Sequence, residues 1–182
     1  MPYVEVTLDA IGQSADVDRG VASMYFGSKE ELFLLLLKKQ LGEWYESLEE
    51  RFEDVSGSLA ADELAEVLAS SLVERSIMVR YLSLLPVVLE QNMEVMEVFS
   101  FQRWRLERMN RVARSLEKVS QSLGDGAGFR LLHLLQLVAA GLEPAANPKG
   151  SAAFDRGNPD FDAHFINLED ELKRFAINHL SS

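Results

Sequence analysis

Apolar residues in this chain recur at spacings of three and four, and no run alternates between hairpin turns. A strand that buries one face must repeat every second residue, while a helix repeats about every 3.6. The pattern therefore predicts an all-α fold. Leu8, Ile11 and Ala15 give the first buried face, with Thr7 as N-cap of a helix reaching about Ser14. Asp16-Val17 is a turn, and Asp18 can cap a second short helix. In that helix Val21, Ala22 and Tyr25 are expected inward, and Arg19, Ser23 and Met24 outward. Gly27-Ser28 ends it, and Ser28-Lys29-Glu30-Glu31 reads as a capping box opening a third helix to about Val55.

The body continues in the same period. Phe33 to Leu37 is apolar on every side, which predicts enclosure by other helices. After the loop Ser56-Gly57-Ser58, helices are expected over Ala60–Arg75, Ile77–Gln91, Met93–Leu123, Phe129–Leu142 and Phe161–Leu180. Pro86 must kink or split the second of these, because proline lacks the N–H and clashes with the preceding turn. Three prolines and two glycines between Glu143 and Asp160 predict a long connection.

Composition excludes several classes. With no cysteine there is no disulfide framework and no thiolate metal site, and a cytoplasmic location is expected. No apolar run approaches the ~20 residues needed to span a bilayer, so no membrane partner is expected. The net charge of −11 argues against a protein that coats nucleic acid generally, though a small DNA-reading head needs only local cations. His133, His164 and His179 lack metal-ligand spacing, and there is no phosphate loop or nucleophile elbow. No enzyme activity, metal or cofactor is expected.

Thr7, Ile11, Ala15, Val17, Arg19, Gly20, Tyr25 and Phe26, followed by Gly27-Ser28-Lys29-Glu30-Glu31-Leu32, carry a resemblance to the TetR family of transcriptional regulators. The run Leu84-Leu85-Pro86-Val87-Val88-Leu89-Glu90-Gln91-Asn92 is similar to one seen in many members. The resemblance implies a helix-turn-helix head over residues 1–32 and a helical ligand-binding and dimerisation domain over residues 33–182. It implies a homodimer acting as a repressor on operator DNA, with a small-molecule effector held in each body. A relative that senses a ligand or partner without reading DNA is the alternative.

In a helix-turn-helix the second helix enters the major groove. The candidate DNA-binding residues are accordingly Thr7, Arg19, Gly20, Val21, Ser23, Met24, Tyr25 and Lys29, with Thr7 and Lys29 at phosphate positions and Arg19 at a base edge. For the pocket the candidates are Met78, Tyr81, Met96, Phe99, Phe101 and Trp104. For a dimer interface built from the last two helices they are Leu131, Leu134, Leu135, Val138, Phe165, Leu168, Leu172 and Phe175.

The chain also departs from the family pattern. Heads of this family carry a helix of about 20 residues before the position of Thr7, and only six residues stand there here, so the head is expected to be incomplete. Covering Ile11, Val17 and Phe26 is worth roughly 1.5–3 kcal/mol each. Asp16 stands at a turn position that usually holds glycine, Gly12 replaces a small helix former, and Ser23 replaces a tyrosine. Residues 1–32 hold six acids and two bases, a net of −4, so nonspecific DNA affinity is expected to be low. Finally, Arg103, Arg105, Arg108, Arg111, Arg114 and Lys118 read as a solvated face paired with Glu107, Glu117 and other acids.

Overall fold

Thr7 caps α1 (Leu8–Ser14) through its hydroxyl, which accepts from the Ala10 N–H at 3.1 Å. The computed structural model describes residues 3–18, 20–148 and 165–181 of the chain. Asp16 ends α1 with φ at 55°, the left-handed region that favours glycine. The Val17 N–H reaches the Gly12 carbonyl at 2.9 Å and the Asp16 N–H reaches Gln13 at 3.3 Å. Those are the paired bonds of a Schellman end, and aspartate is tolerated there at some conformational cost. Gly20, at φ 89°, then turns the chain into α2 (Val21–Tyr25).

Ser28 caps α3 (Lys29–Glu53) by accepting from the Glu31 N–H at 3.1 Å. The reciprocal arm of the box differs from expectation by one residue. The Glu31 carboxylate takes the Gly27 N–H at 2.8 Å, which fastens the end of the head to the start of the body. A 3-10 turn at Tyr3–Glu5 folds onto the same corner. Tyr3 donates to Glu30 at 2.9 Å and lies 5.1 Å from the Phe33 ring, which in turn meets Tyr81 at 5.4 Å.

The body consists of α3 with α4 (Ala61–Val73), α5 (Ser76–Leu84), α6 (Val95–Val119), α7 (Ala127–Ala146) and α8 (Leu168–Leu180). In its packing α3 lies on α6, α4 on α8, and α7 touches α5, α6 and α8. Leu37, Leu41, Trp44, Tyr45 and Leu48 of α3 are all buried in the common core. Gly42 leaves room for Trp104, whose ring stands 3.7 Å from where a Cβ would sit.

Pro86 acts as the sequence requires. It stops α5 at Leu84 and opens the backbone into a π-helical turn at Leu85–Leu89, where the Glu90 N–H reaches back five residues to Leu85. At α7 the expected end fails. The helix runs through Pro144 to Ala146, because Glu143 and Ala146 are buried in that last turn and hold it against the core. Of the expected last helix, residues 165–180 are described; the helix starts only at Leu168, because Asn167 caps it with a side chain that accepts from Glu169 and Asp170, and residues 165–167 are not helical. Residues 161–164 and most of the connection before them lie outside the description.

The α6–α7 crossing is a close approach. A Cβ on Gly128 would stand 2.8 Å from the Ala113 carbonyl oxygen, and the Gly128 N–H donates to Glu117 at 2.8 Å. Backbone cannot move aside as a side-chain tip can. Gly128→Ala is expected to cost about 2 kcal/mol through overpacking, read as a lower denaturation midpoint. An unchanged midpoint would mean that the two helices separate freely.

Candidate functional site

The head presents a small outward face. Thr7 and Ser23 are exposed, Met24 is 82% exposed and Tyr25 is 76% exposed, while Gly20 and Val21 are half-buried. Tyr25 was expected to face inward. It does not, because α2 is a single turn closed by Phe26, and Phe26 takes the half-buried position beside α3. Lys29 departs further from the expected set. Its ammonium donates to the Tyr3 carbonyl at 3.1 Å and lies 4.4 Å from the Tyr3 ring centroid, so intramolecular partners already hold it. Arg19 lies outside the described residues. Cover over the head is thin: Leu8 and Ile11 are half-buried and Val17 is exposed.

The aromatic and methionine residues expected to line a pocket do not line one cavity as a set, although Phe101 and Trp104 pack together. Met96 and Phe99 stand on the solvent side of α6, while Met78 and Phe101 are buried in the core. Trp104 packs between Phe101 and Tyr45, and Tyr81 against Phe33.

A cavity of about 290 Å³ opens instead between α5, its π turn, α6 and α7. Leu82, Ser83, Leu85 and Pro86 form one side, Leu137, Ala140 and Gly141 another. Between them stand the polar residues Glu90, Gln102, Arg105 and Gln136. Gln136 is 1% exposed and organises this wall. Its amide oxygen accepts from Arg105 Nη2 at 3.1 Å and from the Tyr45 hydroxyl at 3.3 Å. Its amide nitrogen donates to the Leu132 carbonyl at 3.2 Å. The Gln102 amide donates to the Glu90 carboxylate.

Burial raises the Tyr45 phenol above its ordinary pKa despite the Arg105 charge, so Tyr45 stays neutral. His133 is held below its ordinary value, first by burial and then by the charge of Arg105.

Arg105 was expected on a solvated basic face. The structure divides that row. Arg103 pairs with Glu107 at 3.1 Å, and Arg108 and Arg111 pair across to Glu46 and Glu49 of α3 at 2.8 and 3.5 Å. Arg105, only 8% exposed, turns inward to the cavity. Its direction was legible in the sequence. Phe101, Arg105, Met109, Val112 and Leu116 form one helical stripe, and all five are buried. Gln136 and Glu143 likewise interrupt the buried face of α7 formed by Leu132, Leu135 and Ala139. Glu117, expected to pair with the basic row, instead receives the Gly128 N–H at the start of α7.

Of the expected dimer residues, Leu131, Leu135, Leu168 and Leu172 are buried within the protomer, where they join α7 and α8 to the core. Leu134, Val138, Phe165 and Phe175 are half-buried. Leu137, outside the expected set, is 51% exposed beside them.

No helix among the described residues is long and apolar enough to cross a membrane. Comparison with curated proteins gave no match. Residues 38–181, from within α3 to the end of the described chain, match the family of tetracyclin repressor-like C-terminal domains. That match covers most of the chain, including every helix that walls the cavity, and the protein belongs to the TetR-like family of regulators.

Proposed function

We propose that this chain is a ligand-responsive transcriptional repressor that acts as a homodimer on operator DNA. The observation that carries the reading is the join of two parts. A helix-turn-helix-like head presents Ser23, Met24 and Tyr25 outward, and it is fastened through Gly27 and Glu31 to a TetR-like body containing a cavity. In such a design occupancy of the body changes DNA affinity, to the extent that the ligand binds one arrangement of the heads more tightly than the other.

A reporter gene under the DNA upstream of the protein's own gene tests this in cells. Supplying the protein should lower the reporter signal, and Met24→Ala with Tyr25→Ala should restore most of it. An unchanged signal would refute repression at that site. The engagement of Lys29 by Tyr3 favours a second reading, in which the dimer binds a ligand or partner without reading DNA. Under that reading the protein still binds its ligand, and the reporter is silent to both forms.

Dimerisation is assigned to the outer side of α7 and α8. Leu134, Leu137 and Val138 recur there at helical spacing, with Phe175 on the neighbouring helix. Leu134→Asp or Phe175→Asp should convert the dimer to monomer in sedimentation velocity. A dimer that survives both substitutions would place the interface elsewhere.

A further inference from the structure

We propose that the cavity between α5, α6 and α7 binds a small organic monocarboxylate, with its head on Arg105 and its apolar body against Leu82, Leu85, Leu137 and Ala140. The proposal rests on the ligand-responsive reading above and names the chemical class of the ligand. An arginine guanidinium stays charged at any ordinary pH, so burying it without a counter-charge is unfavourable. Arg105 is 8% exposed, and its Nε is shielded from solvent with no hydrogen-bond partner. Its hydrogen bond goes to the neutral amide of Gln136 at 3.1 Å, and the nearby Tyr45 is a neutral phenol. Among the described residues no carboxylate lies within 4.0 Å of it.

The other buried charge among the described residues is treated differently. Glu143, on the same helix as Gln136, is 3% exposed and receives Arg80 Nε and Nη2 at 3.2 and 2.9 Å. A charge with a structural role is matched within the fold, while Arg105 is left unmatched on a cavity wall.

The remaining wall decides which anion fits. Leu82, Leu85, Pro86, Leu137 and Ala140 make most of that wall apolar, which favours a ligand that is largely apolar beyond its head. A single cation suits a monoanion, whereas a phosphate dianion calls for more. The guanidinium fork matches the plane of a carboxylate. Glu90 faces the same cavity, but its carboxylate is engaged by Gln102 and does not reach the guanidinium. A volume of about 290 Å³ limits the body to a short chain or one ring, since small-molecule pockets span ~300–1,000 Å³.

Isothermal titration calorimetry of the full chain with octanoate, octanol and octylamine, at neutral pH, tests the assignment. Octanoate should bind saturably, one per chain, at least ~10-fold tighter than octanol, because hydrogen bonds to charged groups are worth about that much or more. Octylamine should not bind. Arg105→Met should weaken octanoate by about 10–100-fold. Ala140→Phe, which fills the cavity while keeping the arginine, should abolish binding. Circular dichroism melts show whether each variant is folded, and the head-group comparison on the unmodified protein decides even where a variant is not. Equal binding of octanol, undiminished binding to folded Arg105→Met, or no octanoate binding at millimolar concentration would each overturn the proposal. Selective octanoate binding with an indifferent reporter would uphold the site and remove the repressor reading. Repression without carboxylate selectivity would do the reverse.

Discussion

Trp44→Ala is expected to cost the protein about 3–5 kcal/mol, the usual range for deleting a large buried aromatic. Trp44 is fully buried in the middle of α3. Its ring lies 5.1 Å from Tyr45, and its indole N–H donates to Ser71 at 2.9 Å, joining α3 to α4. The substitution removes most of the side chain from a region closed in on all sides, and the cavity left behind cannot collapse without moving α4. Loss of the hydrogen bond adds little, because Ser71 keeps its own bond to the Leu68 carbonyl at 2.8 Å. Trp44→Phe should be milder. It retains much of the packing and gives up chiefly the hydrogen bond, about 1 kcal/mol, and some volume. Urea unfolding measures both. The expected result is a large fall in midpoint for alanine, a small one for phenylalanine, and an unchanged slope in each case. If the two variants fell equally, the hydrogen bond to Ser71 would outweigh the packing.

The second large effect lies at the end of α7. Arg80→Ala should cost about 3 kcal/mol, because removing one partner of a buried pair leaves an uncompensated charge. The charge in question is Glu143, whose side chain is 4% exposed. The low end of the usual range applies because Arg80 itself is 42% exposed, so water already screens part of the pair. Glu143→Gln in the Arg80→Ala background should restore most of the loss, since the amide carries no charge to strand. A double-mutant cycle by urea unfolding gives the coupling directly. Independent, additive costs would show that Arg80 acts through packing rather than charge. The same contact explains why α7 continues past Pro144. A last turn pinned to α5 by Glu143 tolerates a missing N–H that a free helix end would not.

How much of this was legible in the sequence follows from what each signal depends on. Helix identity and caps are local, and Thr7, Ser28 and Pro86 did what their chemistry requires. The left-handed φ at Asp16 fits the turn position where the family pattern usually holds glycine. The cavity was not legible, because it depends on which faces of α5, α6 and α7 meet. Met96 and Phe99 have the composition of pocket residues, yet their side of α6 faces solvent. Arg105 was misplaced for a different reason. Composition groups it with its basic neighbours, although its four-residue spacing from Phe101 and Met109 puts it on the buried stripe. At the head, the engagement of Lys29 depends on where Tyr3 folds, and nothing in the local pattern fixes that. For the proposed dimer face, helical spacing alone does not separate Leu135, which is buried in the core, from half-buried Leu134 and exposed Leu137.

Under the proposed function a body of the TetR type works through a DNA-reading head. Fluorescence anisotropy with a labelled duplex from the DNA upstream of the gene, set against a scrambled duplex at the same low salt, measures this most directly. A repressor should prefer the upstream duplex by about 10³ or more. Met24→Ala with Tyr25→Ala should bring the two duplexes to the same weak affinity. Equal affinity of the unmodified protein for both duplexes would contradict that function and leave a ligand-binding dimer in its place.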